Sequence, residues 1–181
     1  MSENFSDLEP ASWWTRGKAA IVDFLILIAV LLIPGVLIIT SAIVAYDDFW
    51  GEYNYSAGTI FLLVVGIILG LAALVWSGWF FGYCQGVSGT TPGKRFQGIC
   101  LVDADSGETP GGARGVGRWL VPGLIGGITG IGNIIELIDY LWPIWDPKKQ
   151  RLIDKVFKTR VMVGTPVKAE SSDPGPQNPI S

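Results

Sequence analysis

From Ala57 to Tyr83 the chain runs for 27 residues without one charged side chain. A helix over that run would be about 40 Å long at ~1.5 Å per residue, more than the roughly 30 Å hydrocarbon core of a bilayer. Trp76, Trp79, Phe80, Phe81 and Tyr83 crowd its end, and aromatic rings settle at headgroup level. Gly66/Gly70 and Gly78/Gly82 are spaced for close helix approach, read here as packing within the monomer. A second run, Ala19 to Ala45, carries a single charge, Asp23, with Pro34-Gly35 near its middle. It exceeds the ~7–15 apolar residues of a signal peptide, so it is expected to be a retained first span.

A third apolar region, Val116 to Trp145, is of another kind. It holds six glycines and two prolines, and it carries Arg118, Asn133, Glu136 and Asp139. Glycine in a helix interior costs up to about 1 kcal/mol relative to alanine, which argues against one uninterrupted helix. One tilted span and two shorter helices joined around Gly126–Gly132 remain the alternatives.

Charge placement bears on that choice. The linker Tyr46–Ser56 holds Asp47, Asp48 and Glu52 and none of the 13 basic residues. Arg16 and Lys18 precede the first span; Lys94, Arg95, Arg114 and Arg118 lie in or beside the 84–118 connection; seven more follow Trp145. By the positive-inside rule the N-terminus, the connection and the C-terminal segment share the cytoplasmic side, and 46–56 faces out. Residues 116–145 then double back rather than cross once. Gln97–Asp103 and Thr159–Val163 read as short strands, and pairing them requires a common side.

Composition narrows the chemistry. The chain has no histidine, which removes imidazole catalysis, His-ligated metal and a Ser-His-Asp triad. Cys84 and Cys100 lie sixteen positions apart and read as free structural thiols. A net charge of −3 gives no reason to expect nucleic acid as a partner. No nucleophile–base constellation is visible, so an enzyme is not expected, nor a cofactor or a metal.

Ordered motifs link these pieces. Arg16 stands where the first span begins, with Asp23 two helical turns inside it. Thr90–Pro110 reads TTPGKRFQGICLVDADSGETP, and Trp145–Val163 reads WDPKKQRLIDKVFKTRVMV. In this combination, over about residues 11 to 163, the chain resembles the RDD family of small bacterial membrane proteins, named for one arginine and two aspartates. The resemblance carries the family arginine to Arg16, its first aspartate to Asp23 and its second to Asp154, with Asp146 also matching the closing Asp-Pro pattern. Ile153 departs from it, since many relatives have histidine there. The resemblance implies a helical membrane fold and a part in transport, with no defined substrate.

Asp23 is the sharpest functional candidate, because a carboxylate inside a span normally faces a partner or a wet cavity. It is either a proton- or cation-binding group or a structural pair with Arg16 or a basic residue of the 84–118 connection. Glu136 and Asp139, three apart on one helical face, would resist joint ionisation and could exchange a proton for a cation; the other reading is a water-facing helix side. Together Asp23, Glu136 and Asp139 form the candidate intramembrane ion or proton site. The turn Thr90–Arg95 fails as a phosphate loop, having Ser88 and Arg95 where Gly and Ser/Thr are required. Lys94, Arg95, Lys148, Lys149 and Arg151 are instead the candidate lipid- or partner-facing set.

The expected protein is all-α and membrane-embedded, with two full transmembrane helices, a third glycine-rich re-entrant region and a small cytoplasmic two-strand element. Residues 1–12 are expected to be a mobile N-terminal segment, 13–163 the membrane domain and 164–181 a disordered C-terminal tail. The expected location is the bacterial plasma membrane, multi-pass, with both termini cytoplasmic. Expected partners are the lipid bilayer and, beyond it, a second copy of the chain or a membrane partner protein. Two functions are carried forward: transport of a small ion or ligand through intramembrane carboxylates, and a non-transporting adaptor whose basic face binds a partner or anionic lipid.

Overall fold

The computed structural model describes residues 8–47, 51–128 and 130–167. It is mostly helical, and two of its helices are long and apolar enough to cross a membrane. The first, α1 (Trp13–Ala45), is N-capped by Ser12, whose hydroxyl accepts from the Thr15 amide at 3.2 Å. Pro34 lies inside it. An antiparallel pair of two-residue strands, β1 (Tyr46–Asp47) with β2 (Glu52–Tyr53), follows it. The second long helix starts as α2 (Ala57–Ser77), passes through a π-helical stretch at Gly78–Cys84 and ends as α3 (Gln85–Ser88). Ser41 Oγ donates to the Thr59 carbonyl at 2.7 Å where α1 and α2 pack.

Both long helices leave large apolar side chains uncovered, Ile33 at 64% exposure and Val75 at 74% among them. A helix that is apolar all round has to be buried in protein or in lipid, and here little protein covers it. The protein core lies elsewhere. Strands β3 (Ile99–Asp103) and β4 (Thr159–Val163) pair antiparallel, with Leu101 opposite Val161 and Asp103 opposite Thr159. Ile99, Cys100, Leu101, Val102 and Met162 are buried there. The far edge of β4 is taken by residues 8–12: the Ala11 amide donates to the Val161 carbonyl (3.0 Å) and the Val163 amide to the Glu9 carbonyl (2.8 Å). That corrects the expectation of mobility for residues 8–12, because Leu8 and Ala11 are buried in the core and the backbone around them completes the sheet. Residues 1–7 lie outside the described residues. Of the expected tail, 164–167 continue from β4, with the Val167 amide on the Gly107 carbonyl (3.0 Å), and 168–181 lie outside the described residues.

The short α4 (Pro92–Phe96) precedes β3, and between the sheet strands come α5 (Gly112–Gly126), α6 (Ile131–Leu141), a 3₁₀ turn (Trp142–Ile144) and α7 (Leu152–Val156). At 15 and 11 residues, α5 and α6 would be about 22 and 16 Å long, each short of a ~30 Å core. They fold back on one another, since Arg118 near the start of α5 and Asp139 near the end of α6 both reach the segment around α7. The start of α5 meets the π-helical stretch and α3 backbone to backbone: a Cβ on Gly86 would sit 2.3 Å from the Gly111 carbonyl oxygen, and one on Gly115 2.3 Å from that of Gly82. Only glycine permits that approach.

Candidate functional site

A buried carboxylate ties the two halves of the chain together. Asp154, in the first turn of α7, is fully buried. Its Oδ2 accepts from Arg16 Nη1 at 3.2 Å and from the Arg151 amide at 3.0 Å; its Oδ1 accepts from Arg118 Nη1. Burial by itself would raise this carboxyl's pKa, but Arg118, Arg16 and Arg151 outweigh it and hold the group below the usual carboxylate range. Arg16 is held further by the Ala11 and Val161 carbonyls, each at 3.1 Å, and Arg118 by the Thr159 hydroxyl.

Asp23, two turns deeper in α1, is not part of that pair. Its Oδ2 accepts from Thr91 Oγ1 at 2.6 Å and its Oδ1 from the Gly93 amide at 2.8 Å. Thr91 is the N-cap of α4 and also accepts from the Lys94 amide. Gly93 packs so tightly on α1 that a Cβ there would lie 2.0 Å from the Ala19 carbonyl oxygen. The Arg16–Asp23 pair considered from the sequence is therefore not made: Arg16 points to Asp154, and Asp23 fastens the α4 turn.

The remaining candidates separate. Asp139 is buried against Arg151, which donates from Nε at 2.9 Å and from Nη2, and it also accepts from the Ile153 amide at 3.0 Å. This corrects the three-carboxylate site, because Asp139 is committed to its own salt bridge. Among the described residues no three acidic or cysteine side chains converge as metal ligands. Asp146 lies apart, paired with Lys155 Nζ at 2.5 Å and accepting from the Gln150 amide at 3.0 Å. Burial acts to raise its pKa, and the Lys155 bond, with the Gln150 amide, brings it below the ordinary value.

Asp23 and Glu136 do meet at one place. A partly open cavity of about 520 Å³ lies between α1, the π-helical stretch, α4 and the α5–α6 hairpin. Arg16, Asp23, Lys94, Arg118, Glu136 and Arg151 are its charged lining, and Leu27, Phe81, Trp119 and Pro122 are among its apolar walls. Glu136 makes no hydrogen bond or ion pair to any described residue. Lys94 reaches the cavity rather than the lipid or partner surface, which corrects its assignment. The Gln85 amide, in the orientation that satisfies both its ends, donates to the Phe81 carbonyl at 2.6 Å and accepts from Lys94 Nζ. Burial, with Arg118 nearby, lowers the Lys94 pKa to about 8 against the opposing pull of Asp23. Arg151 leaves the surface set for the same reason, lying against Asp139 and 3.8 Å from the centre of the Tyr140 ring. Arg95 and Lys148 stay exposed and Lys149 is half-buried, its Nζ on the Ile144 carbonyl. Sequence reasoning missed Arg118, Thr91 and Gln85 as site residues. An arginine within an apolar region was the available signal for the first.

The match to the RDD family model runs over residues 10–158, most of the chain, and so takes in α1, the α4 turn and α7 together. The chain belongs to the RDD family. Its Arg16, Asp23 and Asp154 thus occupy two linked constructions, a buried Arg–Asp–Arg bridge and a carboxylate-capped turn. The RDD match and the two long apolar helices make it a membrane protein. It is 28% identical over 154 residues to the proline-rich antigen homolog of Mycobacterium tuberculosis, in strains CDC 1551 / Oshkosh and H37Rv, covering 81% of this chain and 60% of that protein. It is 30% identical over 92 residues to the proline-rich antigen of Mycobacterium leprae strain TN, covering 51% of this chain and 33% of the relative. The chain thus spans three-fifths of the length of the M. tuberculosis relative. No solved structure matches it.

Proposed function

We propose that this RDD-family protein is a non-enzymatic membrane transporter of a small ligand, taken up in the Asp23–Glu136 cavity. The observation that carries the reading is Glu136, a carboxylate with no bonded partner among the described residues, in a cavity at the junction of both long helices and the hairpin. An ionised group in such a place is costly unless something exchangeable neutralises it. Asp23 has two fixed donors and so holds the wall rather than the cargo.

The same reading places both termini and the β3–β4 sheet on the cytoplasmic side, in the plasma membrane, with α5–α6 as a re-entrant hairpin. Its support is the distribution of the 13 basic residues and the short α5 and α6, whose ends return to α7. Single cysteines at Lys148, Asp105 and Glu52, labelled from either side, test it; labelling of Lys148 and Glu52 from the same side refutes it.

For transport, the purified protein is reconstituted in liposomes with a trapped pH dye, and an imposed proton gradient is opposed by Na⁺ or K⁺. Gradient collapse in the wild type, lost in Glu136→Gln, is the expected result. Equal rates in both refute the role of Glu136.

A second reading, an adaptor, draws on Phe96 (78% exposed) and Val156 (70% exposed), which stand uncovered beside Arg95 and Lys155. Co-purification after charge reversal at Arg95, Lys148 and Lys149 tests it, and an unchanged partner set counts against it.

A further inference from the structure

The charges around the cavity can be taken one at a time. Arg16 and Arg118 share the buried Asp154. Arg151 is paired with Asp139. Asp23 accepts from the Thr91 hydroxyl and the Gly93 amide. Three charged side chains on the lining have no ion pair among the described residues: Asp23, whose two oxygens are taken by those fixed neutral donors, Lys94, whose bonded side-chain partner is the neutral Gln85 amide, and Glu136, which has no bonded partner. With Asp23 occupied, Lys94 and Glu136 remain to receive a ligand; they have opposite signs and face one cavity.

We propose that the ligand of this cavity is a small zwitterion of amino-acid type, whose carboxylate is received by the Lys94 ammonium and whose ammonium is received by the Glu136 carboxylate. A purely anionic ligand leaves Glu136 without a counter-charge, and a purely cationic one leaves Lys94 with only the neighbouring Asp23 carboxylate to act on it; each omission forfeits a charge-assisted hydrogen bond. A zwitterion satisfies both without changing the net charge of the site. The cavity, at about 520 Å³, is within the ordinary range of small-molecule sites. Its walls at Leu27, Phe81, Trp119 and Pro122 offer apolar surface for a hydrocarbon side chain or linker. Lys94 suits the task chemically. Its pKa, depressed to about 8 by burial and by Arg118, is restored upward by an arriving carboxylate, so ligand binding stabilises the charged form.

This inference rests on the transport reading for the purpose of the site, but binding is measurable without transport. Calorimetry on the purified full-length protein in detergent would compare L-leucine, 4-aminobutyrate and 6-aminohexanoate as zwitterions of increasing charge separation. The analogues N-acetyl and amide forms of the best binder, which carry one charge each, serve as controls. At least one zwitterion should bind, with each single-charge analogue weaker by about tenfold or more. Glu136→Gln should weaken the zwitterion and the amide form while leaving the N-acetyl form unchanged, and Lys94→Met should weaken the zwitterion and the N-acetyl form while leaving the amide form unchanged. Melting curves of both variants report their folding, and Glu136→Gln alone suffices if Lys94→Met does not fold. No heat from any of the three zwitterions, or an N-acetyl form binding as tightly as its parent, overturns the proposal. Proton flux without zwitterion binding overturns this ligand class and leaves the transport reading standing; binding with no uptake into liposomes does the opposite.

Discussion

Replacing Asp154 by asparagine removes one negative charge and little volume from the centre of the Arg16–Asp154–Arg118 bridge. Asp154 is fully buried, and the side chains of Arg16 and Arg118 are only 11% and 9% exposed. Each guanidinium–carboxylate attraction at ~4 Å and an effective dielectric of ~20 is worth about 4 kcal/mol, so the gross loss approaches 8. Two effects reduce it: asparagine still offers an oxygen acceptor, and the variant no longer desolvates a carboxylate. Removing one partner of a buried ion pair commonly costs about 3–5 kcal/mol, and that is the expected destabilisation. The assay is an SDS titration of the protein in mixed micelles, followed by tryptophan fluorescence, giving an unfolding free energy for each variant. Arg118→Gln should cost less in the Asp154→Asn background than in the wild type, because the buried carboxylate it would leave underpaired is no longer there. A second signature is pH dependence. The folded-state pKa of Asp154 is depressed, so its contribution is present above the unfolded value of ~3.9 and lost as pH falls through the folded value. The asparagine variant should lack that component. An Asp154→Asn free energy within about 1 kcal/mol of wild type, with additive double-mutant behaviour, would refute the bridge as the tie between α1, α5 and α7.

Gly93→Ala should destabilise by about 1–3 kcal/mol, because the added methyl meets the Ala19 carbonyl oxygen and no flexible side chain can yield. Gly35→Ala, with open space around the new methyl, should be neutral or slightly stabilising in the same SDS titration. Asp103 has its pKa lowered to about 2: burial opposes this, and the amides of Ser106 and Asp105 with the Arg114 guanidinium outweigh it. Its contribution to stability should be full above the unfolded carboxylate pKa of ~3.9 and fade as pH falls toward 2, and Asp103→Asn should flatten the acid limb of the pH–stability curve. Cys100 is fully buried and its thiol is pushed up by burial to about 11, so maleimide should label it only after unfolding. Mass spectrometry before and after SDS addition would show this, and rapid labelling of Cys100 in the folded protein would contradict the buried β3.

Much of this architecture is local in origin and could be read directly. A 27-residue run with no charge makes a long apolar helix whatever surrounds it, since hydropathy and length are properties of the segment alone. The glycines and prolines of 116–145 likewise lower the prospect of one straight helix, and the chain there divides into α5 and α6. The destination of each charge was a different matter. Glu136 and Asp139 sit three residues apart on one helix, yet one lines the cavity and the other is bonded to Arg151. Helical spacing shows which side chains are neighbours, and it cannot show what the opposing surface offers. Arg16 finds Asp154 across 138 positions, and Asp23 finds a turn 68 positions away, rather than one another. Ion pairs and caps of that range depend on how α1, α4 and α7 are brought together by packing, at distances where a shift of an ångström changes the partner. The amino-acid order therefore determined which segments are apolar and which residues are costly to bury, and tertiary packing alone decided which of those charges remain free.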